Sequence, residues 1–500
     1  MVQFVRACTG ALALLASISG VVAQDSDLVV KTNHFTIRGT LETNMTNVRV
    51  FRRIPYAEPP LGVLRFKPPV TKKPETEILD GTKFGNSCIQ LNNGQPTAYT
   101  TYLPGFLLAP GATTGEDCLS LILWAPRAKA NQSFPVIVYI PGGGFTSGGA
   151  NSQYKYGGPI VRDNQDVIVI SINYRVNIFG YPNAASLGRH NLNPGLLDQR
   201  KAVEWVYENV AAFGGDPTRI TLWGQSAGGS SVDKYAYAWA DDPIVQGLIA
   251  DSGVAGLLGT SASDTSNFTY IAQQLNCTQK DVDDQFTCVQ QKNATDIINI
   301  LDNYNATKNG GKSLSFVPTG DNETSWSSYK DLEAKGKFAK IPFLTGNNNN
   351  EFATLVAFNP NGPNETLVQQ LTNASMACPA GDAARARTEH GIPAWRYRYL
   401  GQFPNLNPVP WLGAYHSSEL PMVFGTSTLL GPNTALENRT SHYMQDAWLA
   451  FVRDPQNGLK NYGWPLYNDT TNSLAQLGLN GSDTAVFARG NTYDQTCQSS

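Results

Sequence analysis

Charge is scarce in this 500-residue chain, with 37 Lys and Arg against 40 Asp and Glu and no basic cluster on any segment. Nucleic acid and anionic membrane surfaces are therefore poor partners. Long apolar runs are missing beyond the first 22 residues. The later ones, Pro135 to Ile140 and Val167 to Ile172, have only strand length, so no transmembrane segment is expected. Histidine is rare, at five residues, which leaves few places for imidazole chemistry. The seven cysteines do not fall at zinc-site spacings, and neither a metal nor a cofactor is expected.

Residues 1–23 carry one charge, Arg6, ahead of the apolar stretch Ala11 to Val22 and a small-residue end at Ala23. That is the shape of a cleaved secretory signal, too short to span a bilayer. Loss of Arg6 with it takes the formal charge from −3 to −4, and loss of Cys8 leaves six cysteines. An even number in an exported chain favours disulfides; several connectivities remain open, with Cys277 and Cys288 the best local pair. N-x-S/T sequons stand at Asn44, Asn131, Asn267, Asn276, Asn293, Asn305, Asn322, Asn364, Asn373, Asn438, Asn468 and Asn480. They agree with export through a glycosylating pathway, although a chain rich in asparagine also forms sequons by chance.

Short apolar runs alternate with helical patterns through the middle of the chain. Phe134 to Ile140, Asp166 to Tyr174, Arg219 to Trp223, Leu248 to Ser252 and Ile341 to Gly346 read as strands buried on both faces, and Leu196 to Ala212 reads as an amphipathic helix. This alternation predicts a central, mostly parallel sheet covered by helices. Ligands of such sheets sit beyond the carboxyl ends of the strands. Residues 89–117 read as a loop with an apolar centre, Leu103 to Pro110; residues 260–335 read as polar helical insertions; and a final helix is expected from Ser441 to Arg453, capped by Thr440 or Ser441. No repeat or linker divides the chain, so residues 24–500 read as one domain.

The run Arg219 to Trp223 leads into Gly224-Gln225-Ser226-Ala227-Gly228. A serine forced onto a sharp strand-to-helix turn needs neighbours without bulk, and the turn lifts its hydroxyl clear of the sheet. A glycine-rich loop after a buried strand has the same spelling, so context must decide. Acyl transfer through serine also needs a base, a group that orients the base, and donors for the developing oxyanion. Pro141-Gly-Gly-Gly-Phe145 follows a strand and can supply backbone donors, each typically worth about 100- to 1,000-fold in rate. A chain order of serine, acid, histidine leaves His390, His416 and His442. His390 suits a helix C-terminus and His442 a helix surface, so His416 is the candidate base. Glu351 stands just past the strand Ile341 to Gly346, whereas most other acids between Ser226 and His416 fall in polar helices.

Together these residues resemble the type-B carboxylesterase/lipase family, the cholinesterase-like branch of the α/β hydrolases, and more narrowly its secreted fungal lipases and esterases. The resemblance extends to Phe51 to Pro60, Glu116 to Leu119, Asn173 to Val176, Asn193 to Gln199, Phe213 to Pro217 and His416 to Gly425. It implies an α/β-hydrolase fold with large insertions and a lid loop. Ser226 would be the nucleophile, Glu351 the acid and His416 the base, with the amides of Gly143, Gly144 and Ala227 forming the oxyanion hole and Ser252 standing behind the acid. It further implies disulfides Cys88 to Cys118, Cys277 to Cys288 and Cys378 to Cys497.

The chain departs from the family at Pro141, where His or Tyr is usual, at Gln225, where many relatives have Glu, and at Phe352, which replaces a common Gly and would be expected to narrow the pocket. The loop between Cys88 and Cys118 lacks tryptophan. A quaternary ammonium needs an aromatic face, which argues against a cholinesterase. The expected activity is a secreted serine esterase without metal or cofactor. Its alternative is a lipase that adsorbs reversibly to lipid through the 89–117 loop. Non-catalytic adhesion proteins of this fold typically lose the serine or histidine, and here both are present.

Overall fold

The computed structural model describes residues 26–497 apart from 92–93, 128–132, 189, 262–263, 305, 307 and 309–311. The expected signal segment and the sequons at Asn131 and Asn305 lie outside the described residues. An 11-stranded sheet organises the rest. In chain order its strands are β1 (Thr40–Glu42), β2 (Met45–Pro55), β3 (Ser120–Pro126), β4 (Phe134–Ile140), β5 (Ile168–Ile172), β6 (Gly215–Gln225), β7 (Gly247–Asp251), β8 (Phe343–Asn348), β9 (Ala394–Tyr399), β10 (Asn472–Leu477) and β11 (Val486–Arg489). Their spatial order is β11-β10-β9-β8-β7-β6-β4-β5-β3-β2-β1. Every pairing from β5 across to β10 is parallel, and the flanking pairs are antiparallel.

Side chains alternate between two cores, as a period of two requires. Val136, Val138 and Ile140 of β4 join Ile220 and Leu222 of β6 on one face; Ile137 and Tyr139 join Trp223 on the other. Helices cover both faces, so the central strands are apolar throughout. Those used below are α1 (Ala98–Tyr102), α2 (Pro194–Asn209), α3 (Ala227–Ala238), α4 (Ser266–Gln274), α5 (Val282–Gln290), α6 (Ala294–Asp302), α7 (Cys378–Glu389) and α8 (Ala435–Arg453). Helices α4 to α6 build a satellite core from Phe268, Ile271, Phe286 and Ile297 in the polar insertion. Three disulfides join Cys88 to Cys118, Cys277 to Cys288 and Cys378 to Cys497.

Two expectations need correction. Helix α8 begins at Ala435, with Thr434 as its N-cap and a capping box to Glu437; Thr440 and Ser441 are interior residues whose hydroxyls bond to the Leu436 and Met422 carbonyls. His442 is exposed, as expected, but sits mid-helix and not in a first turn. The 89–117 segment is not all loop, because Thr97 caps α1 through a capping box with Thr100. Ten of the sequon asparagines are described, and all are exposed except Asn267 and Asn373, which are half-buried.

Candidate active site

Strand β6 ends at Gln225 and α3 begins at Ala227, leaving Ser226 alone to make the turn, with φ +60° and ψ −124°. A non-glycine residue held there stores strain, which the surroundings must over-determine. They do so by close packing. A Cβ on Gly224 would lie 2.3 Å from the Gly228 carbonyl oxygen, and one on Gly228 would lie 2.0 Å from the Ile140 oxygen. Ser226 N–H donates to the Asp251 carbonyl at 2.8 Å. Ser226 itself is half-buried between fully buried neighbours.

The turn after β4 lies against this elbow. Gly142 is so close that a Cβ there would sit 2.5 Å from the Gln225 oxygen and 2.9 Å from Ser226 Cβ. Gly143 and Gly144 follow at φ +134° and +63°, partly exposed. Their N–H groups serve no acceptor among the described residues. Ala227 is the first residue of α3, so its N–H has no partner within the helix. The glycine turn and the start of α3 thus bring amide N–H groups without backbone partners to the elbow.

Glu351 begins a short 3-10 turn past the end of β8 and is wholly buried. Its Oε1 accepts from Ser252 Oγ at 2.7 Å and from the Asn348 amide at 2.6 Å. Its Oε2 pairs with Nδ1 of His416, which is 3 % exposed. A proton on Nδ1, shared with this carboxylate, leaves a lone pair on Nε2 when the ring is neutral. The amide nitrogen of Gln225 lies 3.2 Å from Nε2, within reach of that lone pair. Ser252, the residue after β7, also has positive φ, +49°.

Two further carboxyl groups lie behind this pair. Asp251 accepts from the Trp223 indole at 2.5 Å, and burial pushes it up to about 7. Glu419 accepts from the Asn348 side chain, and burial, followed by repulsion from Asp251 and Glu351, drives it well above the usual carboxylate range. Among the described residues, no group of three or more His, Cys, Asp and Glu is arranged to hold a metal ion. Sequence reasoning brought forward Ser226, Glu351, His416, Ser252 and the glycine turn, and the structure gathers all of them at the carboxyl ends of β4, β6, β7 and β8. It did not bring forward Asn348, Asp251, Glu419 or Tyr99. Asp251 and Glu419 each had a signal, the first beside Ser252 and the second three residues after His416.

The sequence matches the carboxylesterase family over residues 26–367 and 359–498. The chain belongs to that family. This carboxylesterase is 44% identical to the chlorogenic acid esterase of Aspergillus niger, over 86% of its own length and 83% of the relative's. It is 38% identical to secreted lipase 5 of Gibberella zeae, with 98% and 97% of the two chains covered. With the para-nitrobenzyl esterase of Bacillus subtilis the identity is 29%, over 89% and 93%. The carboxylesterase is therefore a carboxylic-ester hydrolase of the α/β-hydrolase fold. No helix among its described residues is long and apolar enough to cross a membrane.

Proposed function

We propose that residues 24–500 form one secreted serine esterase domain in which Ser226, His416 and Glu351 act as nucleophile, base and orienting acid. One observation carries the reading: a buried histidine paired with a buried carboxylate reaches, through its other ring nitrogen, Gln225, the residue next to the strained, half-buried Ser226. His416 Nε2 takes the Ser226 proton as the hydroxyl attacks the ester carbonyl. The amides of Gly143, Gly144 and Ala227 hold the oxyanion. Collapse of the tetrahedral intermediate expels the alcohol, which leaves with the proton from His416, and water then attacks the acyl-enzyme by the same route. Likeness to the secreted lipase of Gibberella zeae supports an extracellular location. Exposure of the other eight described sequon asparagines supports glycosylation there, while the Asn267 amide is already spent on the Ser315 carbonyl.

A second reading, a lipase that adsorbs to lipid through the 89–117 loop, draws on likeness to the Gibberella zeae lipase and on Leu107, exposed within that loop. Hydrolysis of p-nitrophenyl esters from acetate to palmitate separates the two. Highest kcat/KM on short chains is the expected result; preference for long chains with a sharp rise above the solubility limit would favour the lipase. Ser226→Ala should abolish both activities, and a variant as fast as the parent would refute the serine mechanism.

A further inference from the structure

Three consecutive carbonyls lead the chain through the loop that carries His416, and each accepts from a remote segment. The Asn350 amide donates to the Ala414 carbonyl at 2.8 Å, and Asn348 Nδ2 donates to the Tyr415 carbonyl at 2.7 Å. Both donors lie within three residues of Glu351. The His416 carbonyl is held from the other end of the sequence, by the hydroxyl of Tyr99 at 2.8 Å. The same hydroxyl accepts from Thr354 Oγ1 at 3.2 Å, three residues past Glu351. One phenol on α1 therefore ties the base segment and the acid segment to the loop bracketed by Cys88 and Cys118. Ser417, the next residue, has φ +77°, so the 416–417 peptide sits in a conformation that local preference does not favour and an external hold must keep.

The phenol is itself well fixed. Its ring meets Phe106 edge-on at 5.8 Å, and Phe106 packs on Tyr154 at 4.7 Å and on Tyr415 at 6.0 Å. Leu103 and Leu412 are fully buried in the same small cluster. Swinging the loop away would open this cluster and release the His416 carbonyl together. We propose that Tyr99 is a positioning residue for the base, and that the Cys88 to Cys118 loop is a fixed clamp whose docked state is the working one. The inference rests on the proposed role of His416. It also bears on the two readings above, since a clamp of this kind works on dissolved esters without an interface to open it.

Tyr99→Phe removes the hydroxyl and keeps the ring packing. Loss of one such hold and the resulting drift of the imidazole should lower kcat on p-nitrophenyl butyrate about tenfold, with KM changed by less than about twofold. The rate at which a phosphonate ester labels Ser226 should fall by the same factor. The thermal midpoint should stay close to the parent's, and Thr354→Ser, which keeps the hydroxyl contact, should behave as the parent. Tyr102→Phe, on the same helix but packed on Phe358 and Trp411, should leave kcat unchanged. A parent-like kcat in Tyr99→Phe overturns the proposal, as does a loss confined to KM or one fully explained by a smaller folded fraction. A sharp rise in the parent's rate on emulsified tributyrin above the solubility limit also overturns it. If Ser226→Ala remains active, the serine mechanism fails; if that variant is dead and Tyr99→Phe is fast, only the clamp fails.

Discussion

Gln225→Glu would place a carboxylate where an amide now stands 3.2 Å from His416 Nε2. At that separation, with an effective dielectric of about 20, a carboxylate and an imidazolium attract by about 5 kcal/mol. Most of this is offset, because position 225 is 3 % exposed and pairs in register with Asp251 on β7, so the new charge is both desolvated and close to another acid. A net shift of about one to three pH units remains, at about 1.4 kcal/mol each. The sign follows from which form is stabilised. An anion at 225 favours the imidazolium, the base stays protonated to higher pH, and the acid limb of kcat/KM moves upward by that amount. The assay is kcat/KM for p-nitrophenyl acetate across the pH range, in parent, Gln225→Glu and the neutral control Gln225→Ala. Superimposable acid limbs in parent and Gln225→Glu would refute the contact between residue 225 and the base. An equal shift in Gln225→Ala would refute its electrostatic origin.

Two other perturbations test neighbouring parts of the site. Burial pushes the Asp251 carboxyl up to about 7, so between about pH 4 and that value the folded chain keeps a proton that the unfolded chain has released, and this contribution to stability is lost as pH rises. Asp251→Asn removes the titration, so its thermal midpoint relative to the parent should become steadily more favourable from mildly acidic to mildly alkaline buffer; a difference independent of pH would contradict this. Gly142→Ala sets a methyl against the backbone of Gln225 and against Ser226 Cβ. The glycine turn must then retreat from the elbow and kcat should fall by about 100-fold, whereas a parent-like kcat would mean that the turn is not held at this distance.

What could be read from the sequence was what local chemistry dictates. The runs that became β4 and β6 are legible because a strand buried on both faces admits little but apolar and β-branched residues. The elbow is legible because its crowding leaves no room for a Cβ at 224 or 228. The strand β2 was not read, since its run carries Arg49, Arg52 and Arg53, whose guanidiniums find partners in remote segments such as the Phe213 carbonyl, the Thr82 carbonyl and Asp117. Helix α8 begins six residues before the expected start: Thr440 and Ser441 look like caps, yet both are interior, the first bonded back to the Leu436 carbonyl and the second to the Met422 carbonyl of another segment, while the capping box lies upstream at Thr434 and Glu437. Tyr99 and His416 are 317 residues apart. No periodicity or motif spans such a distance, so that contact appears only when the chain is folded.

The C-terminal edge of the sheet gathers three carboxyl groups, Glu351, Asp251 and Glu419, each fully buried. Like charges so placed in a low dielectric do not all ionise, and their environments decide which of them carries the charge. Glu351 accepts from Ser252 Oγ and the Asn348 amide and pairs with His416 Nδ1. Asp251 has the Trp223 indole, Glu419 has the Asn348 side chain, and burial pushes both of them up. Asn348 therefore serves two acids and the Tyr415 carbonyl at once with neutral donors. Arg398, a guanidinium buried on the neighbouring strand β9, is taken up by the side-chain oxygen and carbonyl of Asn349. A lysine or arginine at 348 would supply a second cation beside Glu351 and weaken its preference for the imidazolium. Asn348 thus holds both acids and the Tyr415 carbonyl without placing a cation between Glu351 and the His416 ring.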